Sequence, residues 1–259
     1  MSNWREWLRV LWHGGKPGKR VALVLSGGGA RGIAHIGAIE ELQARGYEIT
    51  SVAGTSMGAM VGGALAAGKL EELKQEALSM KRMRVLGLID LSLGLDHVVG
   101  GKKVMRLLRR VVGDLRIEDL RIPFCCCATD LTTGEERVFR SGPLCSAIRA
   151  SISIPGLFKP EEIGGHALVD GSVHNTLPLD RVERHKGDIL MAVNVSAAQD
   201  PEGLPGKRKS AWSENYINLG AYVMGLMVTA NTQMALRLTP YATCRMCQRA
   251  YRLLWTFRV

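Results

Sequence analysis

Gly54-Thr55-Ser56-Met57-Gly58 has the spacing G-x-S-x-G, which sets a serine hydroxyl on a tight turn between a strand and a helix. A serine so placed is a nucleophile for acyl transfer, provided that a base takes its proton and donors hold the oxyanion. Gly54 and Gly58 suit the elbow, because a sharp turn brings backbone against backbone where a Cβ would collide. A second glycine pattern stands upstream. Gly27, Gly29 and Gly32 satisfy G-x-G-x-x-G after the apolar run Val21–Leu25 and before a helix. Such a loop aims the N–H groups of Gly27, Gly28, Gly29, Ala30, Arg31 and Gly32 at an anion, either a dinucleotide phosphate or a developing oxyanion. The dinucleotide version requires an acid at the end of the second strand. Here that strand ends at Val52-Ala53 and runs into the serine elbow, with no acid there, so the oxyanion reading is preferred.

The serine needs a base, and six histidines compete for the role. His13 sits in a Gly/Lys/Pro linker, and His35 follows the glycine loop as a packing residue or hydrogen-bond partner. His97 and His166 fall in irregular segments. His174 and His185 come after Asp170, which permits a Ser–Asp–His order like that of an α/β-hydrolase. No histidine has a compelling local context. Asp170 does: it ends the apolar run Ala167-Leu168-Val169 and is followed by Gly171-Ser172, so its carboxylate projects from a strand end into a crevice. A dry pocket raises the pKa of a carboxyl group and makes it a usable base.

The elements that must hold these groups alternate. Strands are expected at Val21–Leu25, Ile49–Ala53, Phe124–Thr129, Arg137–Arg140, Ala167–Val169 and Ile189–Val195. Helices are expected from Ile33 to about Arg45, after the elbow at Ala59–Ala67, at Leu70–Met83, at Val104–Val112, at Cys145–Ser153 and at Tyr216–Leu238. Residues 84–103 read as irregular and are a candidate cover for the site. The alternation predicts a three-layer α/β fold with a mainly parallel central sheet and helices on both faces. With 259 residues and 46% hydrophobic content, the chain can form one full-sized α/β core with short appendages.

The formal charge of +10 sits at the two ends. Arg5, Arg9, Lys16, Lys19 and Arg20 against Glu6, and Arg237, Arg245, Arg249, Arg252 and Arg258 with no acid, leave the body nearly neutral. A nucleic-acid binder carries its basic stripe on the folded domain, so nucleic acid is not an expected partner. Trp4, Trp7, Leu8 and Leu11 fall on one face of a short amphipathic helix, so residues 1–12 are a candidate contact with an anionic membrane surface. No apolar run reaches the ~20 residues that cross a bilayer, and the N-terminus lacks the apolar core of a secretory signal. A cytoplasmic protein is expected, its basic ends being either a contact with a membrane surface or plain solubilising tails. Cys125-Cys126-Cys127 point alternately to opposite faces of a strand and do not pair, Cys145 is alone, and the Cys244/Cys247 pair lacks zinc partners.

Taken in order, the motifs resemble those of bacterial patatin-like phospholipases of the branch related to neuropathy target esterase. They are Gly27–Gly32, Gly54–Gly58, Ala128-Thr129-Asp130-Leu131, Ala150-Ser151-Ile152-Ser153-Ile154-Pro155 with Phe158 and Pro160, and Asp170-Gly171-Ser172 with Asn175 and Pro178. The resemblance implies a Ser56–Asp170 dyad without histidine, an oxyanion hole in the glycine loop, a lipid acyl ester as substrate, and no metal or organic cofactor. Two departures stand out. Ser172 occupies a position where that family usually has Gly or Ala, and residues 239–259 show no family pattern. The expected organisation is an N-terminal segment and linker at 1–20, a catalytic region at 21–183, the rest of the same fold at 184–238 and a basic, Cys-containing tail at 239–259. The expected function is lipid acyl-ester hydrolysis. A membrane-associated adaptor with little or no activity is the alternative.

Overall fold

A computed structural model of the chain describes residues 19–79, 97–196 and 216–238. The readings made for residues 1–18, 80–96, 197–215 and 239–259 lie outside them. The elements run β1 (Arg20–Leu25), a 3₁₀ turn (Gly29–Ile33), α1 (Ala34–Ala44), β2 (Glu48–Thr55), α2 (Met57–Ala66), α3 (Leu70–Ser79) and α4 (His97–Val112). They continue with β3 (Phe124–Asp130), β4 (Glu136–Phe139), α5 (Leu144–Ser151), β5 (Glu161–Ile163), β6 (His166–Asp170), β7 (Ile189–Val193) and α6 (Tyr216–Leu238).

Among the described residues, seven strands form one sheet in the order β5-β6-β3-β2-β1-β7, with β4 added on β3. The pairs β1–β2, β1–β7 and β2–β3 are parallel. The pairs β3–β4, β3–β6 and β5–β6 are antiparallel. The α/β architecture is as expected, but its parallel character is confined to one half and the sheet as a whole is mixed.

Both faces of the sheet are buried, and β1 shows why its sequence is apolar without alternation. Val21, Leu23 and Leu25 enter the larger core, with Ile39 of α1, Val61 of α2, Leu108 of α4 and Ile148 of α5. Ala22 and Val24 enter a smaller cluster on the other face with Leu177 and Leu179, against which Ala235 and Leu236 of α6 pack. Truncating a fully buried leucine such as Leu23 to alanine costs roughly 2–5 kcal/mol, because the cavity left behind adds to the lost transfer energy. The three cysteines of β3 follow the same alternation, with Cys126 in the larger core, Cys125 in the smaller, and all three thiols free.

Two sequence expectations change. Residues 97–103, read as irregular, form the first turns of α4. Gly100 and Gly101 each cost about 1 kcal/mol of helix propensity, and burial of Val104, Leu107, Leu108 and Val111 on one face outweighs that. Strand β5 was not expected. It pairs with β6 across Gly164-Gly165, whose φ angles of 62° and 83° make the two-residue turn that a tight hairpin demands.

The register on β3 matters most. Cys127 faces Thr55 of β2 on one edge and Val138 of β4 on the other. Ala128 faces Asp170 of β6 on the first edge and Arg137 of β4 on the other. Strands β2 and β6 therefore run toward each other along a single edge of β3 and end at adjacent positions.

Candidate active site

Ser56 follows the end of β2 and Asp170 ends β6, so the meeting of the two strands brings them together. Ser56 Oγ donates to Asp170 Oδ2 at 2.6 Å. Both residues are buried, Asp170 to 1% exposure. Ser56 has φ 55°, ψ −123°, and is the one non-glycine residue with positive φ among those described. An L-residue pays for such a conformation only where its surroundings enforce it. The enforcement is visible. A Cβ at Gly54 would overlap the Gly58 carbonyl, and one at Gly58 would overlap the Leu25 carbonyl. The Ser56 N–H also donates to Ser151 Oγ at 2.9 Å, while the Ser151 hydroxyl donates to the Cys127 carbonyl at 2.6 Å. Ser151 thus ties the elbow to β3.

Asp170 is held at every polar atom. Its N–H donates to the Ser153 carbonyl, and its own carbonyl accepts from Thr129 Oγ1. Oδ1 accepts from the Ser172 N–H at 2.8 Å. Burial drives the carboxyl pKa up to about 6, and the hydrogen bonds from Ser56 and Ser172 oppose this only in part. A carboxyl group so tuned is ionised at neutral pH and is a far better proton acceptor than an exposed aspartate.

The glycine loop lies beside the pair. The Gly27 N–H already donates to the Thr176 carbonyl at 2.9 Å, and the Arg31 N–H faces the Gly28 carbonyl at 3.3 Å. The N–H groups of Gly28, Gly29 and Ala30 have no hydrogen-bond partner among the described residues. Gly27 has to be glycine for contact: a Cβ there would overlap Ser172 Oγ. His35 supports the loop from below. Its Nε2 bonds the Ser26 carbonyl at 2.8 Å, and since a carbonyl only accepts, that nitrogen carries the proton. Burial pushes the His35 pKa down to about 4, so the ring stays neutral.

None of the other histidines with a described side chain bonds Ser56. His166 Nδ1 bonds Asp130 Oδ2 at 2.6 Å, and His185 faces Glu183. His35 was read as a packing residue or hydrogen-bond partner, and its bond to the Ser26 carbonyl agrees with that. Sequence reasoning missed Ser151 as a support, although it lies within a quoted motif. Nothing in its spacing announces a bond to a residue 95 positions away.

A cavity of about 110 Å³ opens from Ser56, Gly29 and Ala30 and is lined almost wholly by apolar side chains, among them Met60, Leu73, Val104 and Leu107. Ile152, Ile154 and Phe158 close one side. Arg149 braces that segment, with its guanidinium on Ser153 Oγ and the Lys159 carbonyl, 5.3 Å from the centre of the Phe158 ring. Oriented N–H groups, a strained serine, a buried carboxylate and an apolar chamber can together bind an acyl group and attack its carbonyl.

An α/β sheet carrying a nucleophile-elbow serine and a buried acidic partner defines the class. The chain belongs to the patatin-like phospholipase family, whose family model matches residues 23–182. It is 43% identical over 185 residues to an uncharacterized NTE family protein of Mycobacterium tuberculosis, covering 71% of this chain and 51% of that one. It is 33% identical over 191 residues to Lysophospholipase NTE1 of Saccharomyces cerevisiae, covering 71% of this chain and 11% of the yeast protein. Among solved structures, VipD from Legionella pneumophila superposes with a TM-score of 0.51 at 18% identity, over 72% of this chain and 52% of that one, which supports the fold alone. The chain spans about half the length of the mycobacterial relative and a much smaller share of the yeast one. Among the described residues no helix is long and apolar enough to cross a membrane.

Proposed function

We propose that the protein is a serine lipid acyl hydrolase that cleaves carboxylic esters with a Ser56–Asp170 dyad. The observation that carries this reading is the 2.6 Å bond between Ser56 Oγ and Asp170 Oδ2 at the mouth of an apolar cavity. Asp170 takes the Ser56 proton as Oγ attacks the ester carbonyl, and the acyl chain lies in the cavity. The N–H groups of Gly28, Gly29 and Ala30 receive the oxyanion, a contribution of roughly 3–4 kcal/mol for a well-placed donor. Gly27 shapes the loop instead, since its N–H is already engaged. The alcohol leaves with the proton from Asp170. Water, deprotonated by the same carboxylate, then releases the fatty acid.

Family membership supports a lipid ester as the substrate class, and the name of the yeast relative suggests a lysophospholipid as the first to try. Peripheral contact with an anionic membrane through residues 1–12 belongs to the same proposal. Vesicle co-sedimentation that is unchanged on deleting those residues removes it. The test of the reaction is labelling by a fluorophosphonate probe together with hydrolysis of lysophospholipid. Labelling of the wild-type chain and none of Ser56→Ala is expected. A folded wild-type protein that resists the probe and cleaves no ester would refute the reading in favour of an adaptor.

A further inference from the structure

The matched family region ends at residue 182, yet a side chain far beyond it touches the turn that follows Asp170. Asn231, on α6, points its amide nitrogen at two backbone carbonyls, Val173 at 2.9 Å and Ser172 at 3.2 Å. Two carbonyl oxygens in front of one amide settle its orientation, because the amide oxygen there would face two acceptors. Ser172 O also accepts from Thr176 Oγ1 at 3.1 Å.

These bonds fall on a short and consequential piece of chain. Gly171–Val173 is a single 3₁₀ turn capped by the Asp170 side chain itself. At its start the Ser172 N–H donates to Asp170 Oδ1. Ser172 Oγ packs where Gly27 has no Cβ, and the Thr176 carbonyl holds the Gly27 N–H. A turn of three residues has no helix of its own to keep that N–H aimed, so it depends on what grips its carbonyl end.

We propose that Asn231 is a positioning residue for the dyad: by holding the carbonyls of Ser172 and Val173 it keeps the Ser172 N–H on Asp170 Oδ1. This rests on the dyad reading above.

The consequence is readable in pH. The Ser172 N–H lowers the pKa of a carboxyl group that burial raises, so losing that bond moves the titration upward. Other ionisable groups nearby do not confuse the reading. On β3 the Asp130 carboxylate is engaged by His166, and on α5 the Arg149 guanidinium by Ser153 and Lys159. Neither these nor His174, at the end of the turn, is among the causes that set the Asp170 pKa, which are burial, Ser56 and Ser172.

The experiment uses the full chain and the second-order rate constant of fluorophosphonate inactivation as a function of pH, which reports only on folded molecules. A short-chain p-nitrophenyl ester supplies kcat and KM. In N231L and N231A the acid limb is expected to move up by at least about half a pH unit. Their kcat should fall about tenfold with KM within about twofold of wild type. Asn231→Gln, which keeps the donors, should recover part of both. Met234→Ala, on the same helix but 61% exposed, should match wild type. An unmoved acid limb in both N231L and N231A overturns the inference while leaving the dyad intact. Inactivation of Ser56→Ala at the wild-type rate overturns the dyad, and this inference with it.

Discussion

The two side chains of the proposed dyad come from opposite halves of one sheet. Ser56 leaves the parallel half, formed by β7, β1, β2 and the start of β3, in which β1 and β3 are buried along nearly their whole length and carry apolar runs. Asp170 leaves the antiparallel half, where β4, β5 and β6 are short and β5 and β4 are largely half-exposed. In an all-parallel sheet every strand delivers its C-terminal residue at the same edge of the sheet, side by side. Here β6 runs against β2 along one edge of β3, so two strand ends meet head to head with backbone donors on both sides. That geometry lets a serine hydroxyl touch a carboxylate directly. It leaves no gap for an intervening imidazole, and it buries the acid deeply enough to raise its pKa.

The sharpest break of this comparison replaces the antiparallel partner alone. Asp170→Asn keeps shape and polar contacts: its oxygen still accepts from the Ser172 N–H while its amide faces Ser56 Oγ. Ester hydrolysis should fall by at least about 1,000-fold, because no base remains. The same variant should be more stable than wild type at neutral pH. The folded pKa of Asp170, about 6, lies above the 3.8 of a free aspartate, so the folded state binds the proton more tightly than the unfolded one. Wild-type stability from this group is complete below the unfolded value and is lost as pH rises through the folded one. The gap of about 2 pH units corresponds to about 3 kcal/mol in favour of Asp170→Asn at pH 7.5, vanishing near pH 4. Urea denaturation at the two pH values measures it, and equal stability at both would show that burial does not strain this carboxyl. Activity runs the other way. Wild-type kcat/KM should rise with pH to a plateau with its midpoint at about 6, and a midpoint at 4 would mean a solvated acid.

The halves also differ in how openly the sequence displays them. Val21–Leu25, the glycine loop and the serine elbow are local patterns set by residues close together in the chain, so their conformations were legible. Asp170 was legible by its strand end and its glycine neighbour, and its proposed role as the base came through family resemblance. The mixed sheet was not legible, because a three-residue strand such as Glu161–Ile163 carries too little pattern to reveal its direction. Its signal, Gly164-Gly165 between two short runs, is the hairpin turn itself. The start of α4 was hidden by Gly100-Gly101, since tertiary burial of residues 104–111 extends the helix beyond what propensity favours. Contacts such as Ser151 with Ser56 depend on where two distant elements meet, and no local pattern encodes them.

Ser151 ties the elbow to β3, and its removal is the next largest expected effect. Ser151→Ala leaves the Ser56 N–H and the Cys127 carbonyl buried without their shared partner. Each such orphan costs roughly 1–3 kcal/mol, and water in the vacated space recovers part of it. A loss of about 2 kcal/mol in stability and about tenfold in kcat is therefore expected, with the pH midpoint unmoved because Ser151 does not touch Asp170. Threonine, which keeps the hydroxyl, should retain more of both than alanine. A Ser151→Ala variant with wild-type kcat would show that the elbow holds its strained φ from glycine packing alone.

The smallest effect expected is on the apolar side of Ser56, where specificity and catalysis separate. Val104 lines the cavity from α4 and belongs to neither half of the dyad. Val104→Leu adds one methylene to a wall of the chamber. A hydrophobic wall discriminates by about 1–3 kcal/mol per methylene when it cannot yield, and by less where neighbouring side chains can adjust. The ratio of kcat/KM for a ten-carbon to a four-carbon p-nitrophenyl ester should fall about threefold in Val104→Leu and rise by a similar factor in Val104→Ala. The four-carbon rate itself should hold in both, since the shorter chain leaves the dyad and the glycine loop undisturbed. If both substitutions change the two esters equally, the acyl chain does not lie along α4, and the cavity serves the packing of the helices instead of the substrate.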